Sequence, residues 1–101
     1  MPAITDVPSI AVVTELLVIG AEPVGFAQLP TSPGHVKTVV HFESGPARFT
    51  LDGVTAPTPS LGTPAFDGDE RIFDRYEASR FQAVRQGAVN SVATATHYVR
   101  A

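Results

Sequence analysis

The chain has 101 residues, a formal net charge of −3 and no cysteine, which fits one domain and excludes disulfides and thiolate metal sites. The acidic balance argues against binding to nucleic acid, and the longest apolar run, residues 16–19, is too short to span a bilayer. Charged residues make up only 17% of the chain, compared with about 25% in an average soluble domain. Such a low charge fits either a compact β domain or a surface that partner subunits cover.

The N-terminal part of the sequence predicts an arm followed by strands. Residues 1–10 contain two prolines and no periodicity, which indicates an extended arm ahead of one domain over residues 11–101. Residues 12–21 are rich in β-branched side chains and predict a strand buried on both faces, with a short helix as the alternative. Residues 24–29 predict a short second strand, which ends at the turn-forming residues 30–34.

Two alternating segments in the middle of the chain predict a β-hairpin. Residues 36–43 alternate in side-chain character with a period of two, as a strand with one wet face does. Residues 47–52 alternate in the same way and place Phe49 and Leu51 on the core face. The connector 44–46 contains glycine and has the length of a hairpin loop.

The rest of the chain predicts a long loop and then mixed elements. Residues 54–69 contain three prolines and two glycines, which favour an irregular loop. The next residues predict a short strand near 71–73, a helical turn near 75–79 and a strand over 81–85, with one continuous helix as the alternative. Residues 91–100 carry small and hydroxyl side chains on both faces, which predicts a strand lying between two neighbours.

Together these segments predict an all-β fold. About seven or eight strands, with turns every eight to twelve residues or so, are typical of an antiparallel β-sandwich. We expect a jelly-roll-like or immunoglobulin-like sandwich with one short helical turn near 75–79.

Histidine residues give no clear sign of a catalytic or metal site. No nucleophile, phosphate-loop, zinc-protease or dinucleotide motif occurs in the sequence. His35, His41 and His97 lie in separate elements without metal-ligand spacing, although a sandwich could bring His41 and His97 together. We therefore expect no metal site built on histidine.

Two sets of carboxylates give weak indications of a calcium site and of a catalytic acid pair. Asp67-Gly68-Asp69-Glu70 could bind calcium, with a solvated turn as the alternative, and the loop pattern of an EF-hand is absent. Asp52 and Asp67 could form an acid pair of the kind that hydrolyses sugars, but the Asp52-Gly53 turn already gives Asp52 a structural role. We therefore expect no enzyme activity, no cofactor and no metal ion.

A series of motifs in the second half of the chain resembles a known group of proteins. In chain order the motifs are Arg48-Phe49-Thr50-Leu51-Asp52-Gly53, Pro57-Thr58, Gly62, Gly68-Asp69, Phe81-x-Ala83-Val84-Arg85-x-Gly87-Ala88 and a threonine-rich final strand ending in Tyr98. In this order they resemble small proteins of about a hundred residues encoded among the virion genes of tailed bacteriophages, over roughly residues 36–100. The resemblance implies a single β-sandwich structural protein of the virion, without catalytic residues.

This resemblance also implies what the protein contacts. It implies a head decoration or cement protein, or a head–tail or tail accessory component, that forms a homo-oligomer and assembles with capsid, portal or tail subunits. The arm and the long loop are the predicted contact elements. Their candidate interface residues are Pro2, Ile4, Val7, Pro8, Ile10, Pro57, Pro59, Leu61 and Phe66.

A second resemblance implies a different function. The stretch from Thr50-Leu51-Asp52-Gly53 to Pro57-Thr58 is also similar to the accessory sandwich at the end of some chitin-degrading enzymes. That similarity implies a carbohydrate- or surface-binding module. Sugar platforms present flat aromatic rings, and the chain has no Trp and only two Tyr. An exposed aromatic strip would therefore distinguish the two functions.

Overall fold

A computed structural model describes residues 8–31 and 34–101 of the protein. Within these residues the chain forms seven strands and one short helix. In chain order the elements are β1 (Ser9–Ile19), β2 (His35–Ser44), β3 (Ala47–Thr50), β4 (Thr63–Ala65), β5 (Glu70–Asp74), α1 (Arg75–Arg80), β6 (Gln82–Arg85) and β7 (Ser91–Arg100). The predicted all-β class is confirmed.

The strands form two antiparallel sheets with the hydrophobic core between them. One sheet has the strand order β1-β7-β2-β5 and the other has the order β4-β3-β6. Alternate residues of β2 and β7 are buried, because one face of the larger sheet lies on the core. The final strand β7 lies between β1 and β2, which confirms its predicted central position.

Aromatic rings from both sheets meet in the core. The Phe49 ring of β3 lies with its centroid 6.1 Å from that of Phe42 on β2 and 5.5 Å from that of Phe73 on β5. It also lies 5.7 Å from the ring of Phe81, which precedes β6. These separations are those of stacked and edge-to-face aromatic pairs. The Phe49 ring therefore joins the two sheets.

The chain from β5 to β6 forms the predicted strand, helical turn and strand. The Asp74 carboxylate accepts the Glu77 N–H at 2.8 Å, and the Glu77 carboxylate accepts the Asp74 N–H at 3.0 Å. This reciprocal capping box starts α1 at Arg75. Phe81 then adopts an extended conformation and buries its ring in the core. The alternative of one continuous helix is wrong.

The predicted hairpin of β2 and β3 is wrong. β2 pairs with β5 on one side and with β7 on the other, so both of its edges are occupied. Gly45 turns the chain with a φ of 82°, and β3 continues into the other sheet between β4 and β6. The short connector is therefore a crossover between the sheets. A loop length alone does not reveal this, because it does not show which edges are taken.

The predicted strand over residues 24–29 is also wrong. Val24 forms an isolated bridge with Ala83, through hydrogen bonds of 3.0 and 2.9 Å. The rest of this segment is loop, and it packs Phe26 and Leu29 against the core. The apolar residues that suggested a strand are buried by a loop that covers one side of the sandwich.

β1 differs from its prediction in both extent and burial. It begins at Ser9, before residue 12 and inside the predicted arm, whose residues 1–7 lie outside the described part of the chain. Leu17 and Ile19 are buried, but Leu16 and Val18 are 63% and 53% exposed. The expectation of burial on both faces is therefore wrong.

The long segment after β3 is mostly loop but contains β4, which pairs with β3. Within residues 8–31 and 34–101, α1 is the one helix, and its six residues are too few to cross a lipid bilayer.

Candidate functional site

Asp52 stabilises its own loop. Its carboxylate accepts the Val54 N–H at 2.9 Å, the Thr55 N–H at 2.8 Å and the Thr55 hydroxyl at 2.7 Å. The backbone N–H of Thr55, followed by that of Val54, lowers the pKa of Asp52 to about 2, since these donors favour the charged carboxylate. All three donors are local, so the carboxylate has the turn role that the sequence indicated.

Substitution of Asp52 by alanine is expected to lower the melting temperature at neutral pH and to have little effect near pH 2. The pKa of Asp52 falls from 3.8 to about 2 on folding, so its stabilising effect is present above 3.8 and is lost as the pH falls. Thermal unfolding at the two pH values measures the difference. Asp67→Ala, at an exposed turn position, is the matched control; an Asp52→Ala effect that persists near pH 2 would contradict the prediction.

The carboxylate cluster before β5 also closes a turn. Asp69 accepts the Phe66 N–H at 2.8 Å and lies 3.8 Å from the Arg71 guanidinium. Across residues 8–31 and 34–101, no group of three or more histidine or acidic side chains is placed to hold a metal ion. The Asp69 carboxylate thus has backbone and cationic partners within the protein.

A second set of polar side chains is buried on the inner face of the four-stranded sheet. His97 Nε2 lies 2.6 Å from the Glu15 carboxylate, and His97 Nδ1 lies 2.7 Å from the Thr38 hydroxyl. The Thr38 hydroxyl lies 2.9 Å from His35 Nε2. The Glu15 oxygens also accept the N–H groups of residues 27 and 28, at 3.0 and 2.9 Å. We call Glu15, His35, Thr38 and His97 the polar core network.

Every member of the polar core network has a hydrogen-bond partner within it. An ionised Glu15 can only accept, so His97 donates to it from Nε2. The Thr38 hydroxyl can both donate and accept, so it can bond the imidazoles of His97 and His35 at the same time.

Two groups of the polar core network have shifted pKa values. Burial raises the pKa of Glu15, but the hydrogen bonds from His97 and from the backbone of residues 27 and 28 outweigh it and lower the pKa overall. Burial lowers the pKa of His35, and proximity to His97 lowers it further. The network thus favours the ionised form of Glu15 and the neutral form of His35.

The network has the group order of a hydroxyl–imidazole–carboxylate relay, but its hydroxyl is inaccessible. Thr38 and His97 are both 0% exposed, and Phe26 covers His97, with the two ring centroids 5.3 Å apart. A substrate cannot reach the Thr38 oxygen in this conformation. What the arrangement does is join β1, β2 and β7 through hydrogen bonds.

The sequence analysis did not identify this network. His41, which a sandwich could have brought close to His97, lies opposite Thr94 on the exposed face of the sheet. His35 reaches His97 because a β-bulge between His35 and Lys37 places both residue 35 and residue 38 on the inner face. One available signal was Glu15, which shares the core face of β1 with Leu17 and Ile19 and needs a buried partner there.

The centre of the outer face of the four-stranded sheet is partly apolar and carries no lysine, arginine, aspartate or glutamate. Leu16 is 63% exposed and Val18 is 53% exposed on the edge strand β1, and Ile72 is 48% exposed on the opposite edge strand β5. Pairing in the sheet places the central residues side by side: Thr14, Leu16, Val18, Val39, His41, Ile72, Val92, Thr94 and Thr96. We call these residues the outer sheet face. Exposed apolar side chains on one face of a sheet are a feature of interaction sites.

The predicted interface residues occupy varied positions. Pro2, Ile4 and Val7 lie outside the described residues. Pro8, Ile10, Pro59, Leu61 and Phe66 are exposed, whereas Pro57 is buried and offers no surface to a partner. The sequence analysis did not single out the outer sheet face, because the strand β1 that supplies part of it was expected to be buried on both sides.

Comparisons with known proteins give no relative. No family model matches the chain, and searches of curated proteins and of solved structures found no match.

Proposed function

We propose that this protein is a non-enzymatic structural component of a tailed-phage virion that acts by protein–protein assembly. It serves as a head decoration or cement protein, or as a head–tail or tail accessory component. Its partners are other virion proteins and further copies of itself. The outer sheet face is the observation that carries the assembly role, and the motif order over residues 36–100 is what suggests the virion.

The composition of the outer sheet face supports assembly. The centres of protein interfaces are depleted in charge relative to other surfaces, and the threonine and aliphatic side chains of this face have that character. Only 17% of the residues in the chain are charged. This low fraction is reflected in the outer sheet face, whose centre carries no lysine, arginine, aspartate or glutamate. A surface of this composition is typical of proteins that assemble with partners.

Aromatic side chains give less support to the alternative, a carbohydrate- or surface-binding module. The Arg75 guanidinium lies 4.8 Å from the centroid of the Tyr76 ring, and Lys37 Nζ lies 4.9 Å from that of Tyr98. A cation therefore already covers one side of each tyrosine. A sugar that stacks on either ring would have to use the opposite side or displace the cation.

Quantitative mass spectrometry of purified virions tests the proposed function. The chain should be present at a fixed ratio to the major capsid or tail protein after extensive washing and gradient purification. A chain that is expressed in infected cells but is lost from purified particles would contradict the proposal. Binding to immobilised glycans together with absence from particles would favour the carbohydrate-binding alternative.

A further inference from the structure

We infer that the outer sheet face binds a second copy of this chain, face to face across a twofold axis, with the strands of the two copies antiparallel. The inference rests on the proposed assembly function and names one partner and the surface that it uses.

The size of the outer sheet face suits a dimer. Four strands about 4.8 Å apart, with a mean length of about nine residues, cover on the order of 500–600 Å² in projection, and protruding side chains add accessible area. A stable interface buries about 800 Å² on each partner. Two sheets that pack in this way interdigitate their side chains at a separation of about 10 Å. Leu16, the most exposed of the large apolar residues on this face, lies near the middle of β1.

Charged residues border this face, and the balance of positive and negative charge differs between its two ends. Lys37 and Arg100 lie at the end where β2 begins and β7 ends, on the same side of the sheet as Tyr98. Glu43 and Glu70 lie toward the other end, where Glu43 accepts a hydrogen bond from Thr94. The charge on this face is therefore more positive at the Lys37 end than at the Glu43 end.

This polarity determines the orientation of the second copy. A twofold axis that runs across the strands sets the Lys37 end of each copy against the Glu43 end of the other. An axis that runs along the strands would set like charges together. Asp74 also lies near Lys37 and keeps its negative charge while it caps α1. The Lys37 end therefore carries two cations and one anion of the described residues, against two anions at the Glu43 end. A twofold interface must be self-complementary, and the antiparallel arrangement meets that condition.

Solution mass tests the dimer. Sedimentation of the full chain should give twice the chain mass of 10.6 kDa. Leu16→Glu should yield the mass of one chain and raise the dimer dissociation constant at least about thirtyfold, while its circular dichroism and urea unfolding show a folded protein. Val54→Glu is the matched control, since Val54 is 88% exposed in the loop after β3; it should leave the dimer intact.

A charge exchange tests the orientation. Lys37→Glu alone and Glu43→Lys alone should each weaken the dimer, because each places like charges together across the axis. The double variant Lys37→Glu/Glu43→Lys should restore association toward that of the original chain, and the effect should weaken at high salt. Single variants that leave the mass unchanged, or a double variant weaker than both, would overturn the antiparallel arrangement.

The outcomes separate this inference from the proposed function. A chain that stays monomeric at its highest soluble concentration overturns the dimer, and it leaves the virion role standing if purified particles contain the chain. A third outcome is that the original chain and the Leu16→Glu variant are both monomeric, and that only the variant is lost from purified particles. In that case the face binds a different protein and the inference is wrong. A dimer that Leu16→Glu dissociates supports the inference even if particles lack the chain.

Discussion

Replacement of Phe49 by alanine is expected to lower the free energy of unfolding by about 3–5 kcal/mol. The Phe49 side chain is 3% exposed, and its ring contacts those of Phe42, Phe73 and Phe81 at centroid distances of 5.5–6.1 Å. Its removal leaves a cavity between the sheets, because rings held by two separate sheets cannot close around the space. Equilibrium unfolding in urea measures the change.

Phe66→Ala is the matched control for Phe49→Ala. It makes the same chemical change at a side chain that is 54% exposed, so the loss should stay below about 1 kcal/mol. Arg48→Ala and Thr50→Ala, at half-buried positions on the other face of β3, should also cost less than Phe49→Ala. A Phe49→Ala loss equal to that of Phe66→Ala would contradict the central role of the Phe49 ring.

Local patterns in the sequence predicted the local features of this fold. The helical turn near 75–79, the alternation over residues 91–100 and the Asp52-Gly53 turn each depend on interactions within a few residues. The strand–helical turn–strand order from β5 to β6 follows from such signals, because the helix start depends on a side chain three residues away. These predictions are confirmed because each feature depends on residues that are close together in the sequence.

Long-range pairing was not predictable in the same way. The connector 44–46 looks like a hairpin loop, but β2 is flanked by β5 and β7, which come much later in the chain. The sequence near residue 45 contains no information about those later strands. The apolar residues 24–29 posed a related problem, since a loop that covers a core needs the same side chains as a strand.

The side-chain directions of β1 and β2 depended on details finer than alternation. One bulged residue shifts all following side chains by one face, and β-bulges occur at Ala11/Val13 and at His35/Lys37. His35 therefore points inward, although a regular strand would place it with Lys37 and His41. This shift explains why the polar core network escaped the sequence analysis while the strands themselves did not.

Replacement of Glu15 by alanine is expected to lower the free energy of unfolding by about 3 kcal/mol at neutral pH. The Glu15 carboxylate accepts from His97 Nε2 at 2.6 Å and from the backbone of residues 27 and 28. Its loss leaves the fully buried His97 N–H without an acceptor and frees the loop that covers the core. Urea unfolding measures the effect, and Glu22→Gln, at an exposed position, should change stability by less than about 0.5 kcal/mol.

Acidification should weaken the original protein in two stages through the same network. The folded pKa of His35 lies below 6.5, so the unfolded chain binds a proton first and stability falls as the pH drops through that value. The folded pKa of Glu15 lies below 4.5, so its contribution is present above 4.5 and is lost in the range below it. His35→Gln should remove the first stage and keep the second. A free energy of unfolding that stays constant from neutral pH to about pH 5 would show that His35 is not coupled to folding, because a lowered pKa in the folded state requires this loss.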